Sequence, residues 1–108
     1  MVAMTTTDVL HEMTGRIVEG FHPLRILLFG SRARGDQRWD SDYDLLVVMP
    51  DGIDRWKAGL AMQRALKDMP VPKEVLVTTE AEIAARGDLP GGVLRAALRE
   101  GVTVYSAT

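Results

Sequence analysis

Apolar side chains recur in two rhythms along this chain, and the switches between them mark out its elements. Val9, Leu10, Met13, Ile17 and Phe21 fall near one stripe at helical spacing. They predict a helix from Asp8 to about Gly20, with Thr7 as its cap and His22-Pro23 as its stop. Arg25 to Phe29 is a short continuous apolar run closed by Gly30, the pattern of a strand buried on both faces. From Ser31 to Ser41 the chain turns polar: its first residues can open a short helix, and Gly35-Asp36 and Asp40-Ser41 are turn material. Asp42 to Met49 returns to strand character, and Pro50-Asp51-Gly52 supplies the turn after it.

Asp54 then caps a predicted helix to about Lys67, with Ala58, Leu60, Ala61, Ala65 and Leu66 on its apolar side. A third strand, Glu74 to Thr79, follows Pro70-Val71-Pro72. A helical segment from about Glu80 to Ala85 leads to a break at residues 87–92, and a helix from about Val93 to Glu100 is stopped by Gly101. Val102 to Tyr105 reads as a last edge strand. Strands alternating with helices over short connections predict an α/β or α+β sandwich around a small sheet. With 108 residues the expectation is one domain spanning 1–108.

Composition narrows the function classes rather than the fold. An apolar share of 46% with 26% charged residues matches an ordinary soluble globule. The longest strongly apolar run, Leu45 to Met49, is a quarter of the roughly 20 residues a membrane helix needs, so no membrane association is expected. Residues 1–7 show neither a basic region nor a long apolar stretch of a secretory signal. A net charge of -2 offers no general attraction for nucleic acid, so any phosphate binding must be local. The absence of cysteine excludes disulfides and thiolate metal sites and fits the cytoplasm.

The chemistry concentrates between residues 30 and 44. Side chains alternate across a strand, so Asp42 and Asp44 project to one face, about 6 to 7 Å apart along the chain. Paired carboxylates repel unless a cation neutralises them, and oxygen-only ligands select hard ions such as Mg2+ or Mn2+. An isolated Asp-x-Asp is ordinarily a solvated strand start. Here the apolar run that follows anchors it at the mouth of a buried strand. Gly30-Ser31 permits close backbone approach and offers a hydroxyl and an amide to an anion. Alone it is a common turn, but beside a metal-binding pair it describes a nucleoside triphosphate site. Arg32 and Arg34 are either triphosphate contacts or solvated surface arginines. His11 and His22 lack a second ligand at metal spacing, Tyr43 faces away from the aspartates into the core, and Trp39 and Trp56 serve packing or stack on a base.

Gly30-Ser31-Arg32-Ala33-Arg34-Gly35, followed by Ser41-Asp42-Tyr43-Asp44-Leu45, resembles the Gly-Ser-x10-Asp-x-Asp signature of the polymerase-beta nucleotidyltransferase superfamily. The resemblance is tightest from Leu27 to Val48. The length and the segment Leu98 to Tyr105 resemble minimal nucleotidyltransferases, often paired with HEPN-domain proteins in toxin-antitoxin systems. The resemblance implies a small mixed sheet flanked by helices, two divalent ions, and in-line attack on an α-phosphate with pyrophosphate leaving. It implies that Gly30 and Ser31 hold phosphates and that Asp42 and Asp44 ligate metal. It also implies a third carboxylate on a later strand, for which Glu74 occupies the matching place. The family more often has aspartate there, one methylene shorter.

A Walker phosphate loop is excluded by the absence of Gly-x4-Gly-Lys-Ser/Thr. A calcium loop starting at Asp40 is excluded because Leu45 and Asp51 stand where glycine and glutamate are required. The sequence therefore predicts a metal-dependent nucleotidyltransferase moving a nucleoside monophosphate, AMP from ATP, to a hydroxyl of a partner protein of the HEPN type. A small-molecule nucleotidyltransferase and a non-catalytic binding antitoxin of the same fold are the alternatives.

Overall fold

The computed structural model describes residues 4–108. The reading of the N-terminal stretch as lacking a signal falls, for residues 1–3, outside the described residues. In chain order the elements are α1 (Thr6–Phe21), β1 (Arg25–Phe29), α2 (Ser31–Arg34), β2 (Tyr43–Met49), α3 (Arg55–Ala65), β3 (Lys73–Thr79), α4 (Glu80–Arg86), α5 (Val93–Glu100) and β4 (Val102–Ser106). The strands lie in the order β3-β2-β1-β4. β1 pairs antiparallel with both β2 and β4, whereas β2 and β3 run parallel. A parallel pair needs a crossover, and α3 supplies it. The sheet is thus small, mixed and flanked by helices, as the resemblance implies.

The central strands sort their side chains by parity. Tyr43, Leu45, Val47 and Met49 of β2 join Ile26, Leu28, Val75 and Val77 in one core with Val9, Met13 and Ile17 of α1 and Met62 of α3. The alternate residues Leu46 and Val48 meet Leu27 and Leu76 in a second core under Ile83 of α4 and Leu94, Ala97 and Leu98 of α5. On that second face, Leu46 and Val48 are fully buried, Asp44 is half-buried and Asp42 is exposed. β3 follows the same gradient, with Leu76 partly buried and Glu74 exposed. The helical cover stops short of the strand starts, and that is where the acidic residues lie.

Two local expectations change. The N-cap of α1 is Thr5, not Thr7. The Thr5 hydroxyl accepts from the Asp8 amide at 3.1 Å while the Asp8 carboxylate accepts from the Thr5 amide at 3.0 Å. This reciprocal box satisfies two otherwise free amides and starts the helix earlier than expected. On α3, Leu60 is 40% exposed, whereas Met62, outside the predicted stripe, is fully buried. Ala58, Met62 and Leu66 are four residues apart and share the inward face, and Leu60 lies two residues from its centre, on the far side of the helix. Asp54 caps α3 as expected, accepting from the Lys57 amide at 3.1 Å.

Candidate active site

Three carboxylates meet where β2 and β3 begin. Asp44 sits opposite Glu74 in the parallel register, and Asp42 lies on the same face one pleat earlier. The Tyr43 amide donates to the Pro72 carbonyl at 2.9 Å, which pins the two strand starts side by side. Carboxylate oxygens of Asp42, Asp44 and Glu74 all lie within 4.8 Å of one another. Such crowding has an electrostatic consequence. Burial pushes the Asp44 carboxyl above its ordinary range, repulsion from Asp42 and Glu74 adds to the rise, and Arg34 opposes it. An all-oxygen, net-negative set of this size fits a hard divalent cation, which would relieve the repulsion.

β1 delivers the second component. Phe29 pairs with Asp44, so the chain leaves β1 directly beside the carboxylates. Gly30 then adopts φ 77 and ψ -158, a conformation open to glycine alone. A Cβ at this position would overlap the Asp44 Oδ2 atom. The Gly30 carbonyl accepts from the Ala33 and Arg34 amides, both at 3.1 Å, and the Ser31 carbonyl from Gly35 at 3.0 Å. The amides of Ser31 and Arg32 precede these bonds and are not used by the helical turn.

The two arginines behave differently. The Arg32 guanidinium stacks over the Tyr43 ring at 3.9 Å from its centre, on the opposite face of β2 from the aspartates. It donates to the Ser41 carbonyl at 3.1 Å, the Trp39 carbonyl at 3.4 Å and the Thr6 hydroxyl at 3.3 Å. Arg32 therefore straps the 35–41 loop to the body of the protein and so fixes where Asp42 emerges. The structure does not bring it to the carboxylates. Arg34 instead lies on their side, paired with Asp36 at 3.4 Å and with Glu100 at 3.3 Å.

Glu100 is a member of this neighbourhood that the sequence marks only as a helix end. Its carboxylate adds to the repulsion on Asp44. The one signal the sequence carries is an acid in the last turn of α5, where the helix dipole disfavours one. Trp39 and Trp56, expected to pack or to stack, are 89% and 76% exposed, so neither serves the core. Trp56 lines a cleft of about 680 Å³ between α3 and β3 with Ile53, Leu60 and Gln63. His11 and His22 are exposed, and His22 takes the left-handed position that ends α1.

With this geometry in place, the family model described as polymerase beta, nucleotidyltransferase matches residues 16–108. Among solved structures, a candidate nucleotidyltransferase from Sulfolobus solfataricus superposes with a TM-score of 0.63 at 22% identity, covering 92% of this chain and 78% of that one. A MntA-HpeT toxin-antitoxin structure gives 0.54 at 19% identity, with 92% and 73% covered. A toxin-antitoxin structure with AMP-PNP gives 0.54 at 17% identity, with 96% and 76% covered. At these identities the likeness is one of fold. No curated protein matches the chain. Among the described residues, no helix is long and apolar enough to cross a membrane.

Proposed function

Because the chain belongs to the polymerase beta nucleotidyltransferase family, we propose that it transfers a nucleoside monophosphate, AMP from ATP, to a hydroxyl of a partner protein. The observation that carries this reading is the convergence of Asp42, Asp44 and Glu74 beside the Gly30-Ser31 turn. Asp42, Asp44 and Glu74 would hold Mg2+ or Mn2+, which when bound supplies positive charge to the phosphates and lowers the barrier to in-line displacement. Ser31 and the amides beside it bind outgoing phosphate oxygens, and Arg34 adds a guanidinium on the same side. Arg32 supports the site through the loop. In the reaction the acceptor oxygen bonds to the α-phosphorus, the bond to the bridging oxygen breaks, and pyrophosphate leaves. The acceptor proton passes to Glu74 or to water at its edge.

The partner assignment draws on the toxin-antitoxin neighbours, one of which holds AMP-PNP. By the same reading, this chain acts in the cytoplasm as antitoxin to a HEPN-type ribonuclease. Its target is a tyrosine hydroxyl, where added AMP places a bulky anion across an RNA-binding surface. Co-expression with the cognate toxin tests this. The wild-type chain should restore growth and add one nucleotide mass to the toxin, while Asp42→Asn and Asp44→Asn do neither. Rescue by both variants with no change in toxin mass would replace transfer by contact inhibition. Labelling of an aminoglycoside-like small molecule instead would move the acceptor to another class.

Glu74 carries a separate expectation. Glu74→Gln should lower kcat by about 10²-fold or more, the scale of a lost proton acceptor at a metal centre. Glu74→Asp should retain measurable transfer because it keeps the charge. Near-normal single-turnover rates in Glu74→Gln would remove it from the reaction and leave it as a surface acid.

A further inference from the structure

Glu100 closes α5 two residues before β4, which pairs with β1, and its carboxylate meets the start of the phosphate-side turn at the end of that neighbouring strand. The Gly30 amide donates to Glu100 Oε1 at 3.2 Å, and Arg34 Nη1 donates to both carboxylate oxygens at 3.3 Å. Local helix chemistry does not favour this placement. A negative charge at a helix C-terminus meets the negative end of the dipole, and Asp44 nearby repels it further. The β1–β4 register, with Val102 opposite Leu28, brings this helix end beside Gly30, and the two donors it accepts from hold the carboxylate there. A backbone amide at a strand-to-helix turn and a guanidinium are also the donors that suit a phosphate oxygen.

We propose that Glu100 is a built-in competitor for the triphosphate, holding the Gly30 amide and Arg34 until a nucleotide displaces it. The inference rests on reading this site as a nucleoside triphosphate site, and it deepens that reading by naming what a nucleotide must exchange with. Without nucleotide, the carboxylate keeps the turn in shape and partly neutralises Arg34. With nucleotide, the same negative charge opposes the phosphates, so affinity is lower than the donors alone would allow. Occupancy then depends on the polyphosphate and its divalent ion arriving together, since the ion offsets the repulsion.

Calorimetric titration of Mg2+ with AMP-PNP into wild type, Glu100→Gln, Arg34→Gln and the double variant tests this. Glu100→Gln keeps an oxygen for the Gly30 amide and removes only the charge. It should bind about tenfold more tightly, the order of effect of removing one like charge from beside the phosphates at intermediate dielectric. In the Arg34→Gln background the gain should fall below about threefold, because the competition runs in part through Arg34. Unchanged or weaker binding by Glu100→Gln overturns the proposal. Should that variant fail to fold, a structure of the wild-type chain with Mg2+ and AMP-PNP decides. Glu100 still on the Gly30 amide would overturn the proposal, and phosphate oxygens in its place would support it. Loss of transfer activity alongside an intact Glu100→Gln effect would sink the transfer reading only. Normal transfer with no such effect would sink only the competitor, and no nucleotide binding by any form would overturn both.

Discussion

Asp44→Asn is expected to abolish nucleotide transfer, by about 10³-fold or more in kcat/KM, while leaving the fold intact and the metal-free protein more heat-stable. The first effect follows from removing the central charge of a three-carboxylate set, a loss of about 4 kcal/mol of transition-state stabilisation. The second follows from the direction of the Asp44 shift. Its carboxyl is raised by burial and by Asp42 and Glu74, so the folded state holds the proton more tightly than the unfolded chain. Stability from this group is complete below the ordinary aspartate range and is lost as pH rises through the raised value. At neutral pH the metal-free wild type therefore carries a strain that asparagine removes. Thermal melts of both forms from acid to neutral pH, with and without Mg2+, read this directly. The wild type should gain from Mg2+ at neutral pH and the variant should not. A variant that transfers normally, or that gains equally from Mg2+, would show that the ion is held elsewhere.

Gly30→Ala and Gly30→Val form the second large effect. Any Cβ here overlaps the Asp44 carboxylate, and φ 77 with ψ -158 is outside the range of other residues. The backbone conflict costs about 1–3 kcal/mol. To relieve the overlap the Asp44 carboxylate must leave its place between Gly30 and Glu74, so transfer should fall at least about 10²-fold even with alanine. Gly35→Ala is the informative control. Its φ of 84 with ψ 10 is the left-handed helical position, a milder strain of about 1–2 kcal/mol for alanine, and nothing lies within 4 Å of its Cβ position. It should lose stability and keep transfer. Equal loss of activity in the two alanine variants, measured as kcat/KM beside the melting temperature, would mean that backbone strain rather than contact with Asp44 explains the result.

Several of these features are legible in the amino-acid sequence. The bounds of β1 and of α5 coincide with the predicted ones, because an unbroken apolar run and a glycine stop are local signals. Asp42 and Asp44 share a face because strand alternation requires it, and Tyr43 is buried for the same reason. The cap of α1 lies two residues before the expected one because three consecutive threonines are equivalent to a propensity argument. Only the partner carboxylate of Asp8 singles out Thr5.

Local sequence was enough to establish the order and type of the elements, the shared face of Asp42 and Asp44, and the Gly30-Ser31 turn beside them. Each depends on neighbours a few residues away, where periodicity and backbone stereochemistry act. It took the assembled fold to place Glu74 against Asp44, to make Arg32 strap the loop while Arg34 faces the carboxylates, and to bring Glu100 to the Gly30 amide. Glu74 needed the register of a parallel pair joined through a whole helix, and Glu100 bridges 70 residues. Strand register and helix docking are set by how two cores close around one sheet, and that closure depends on the summed burial of residues scattered along the entire chain rather than on any local run.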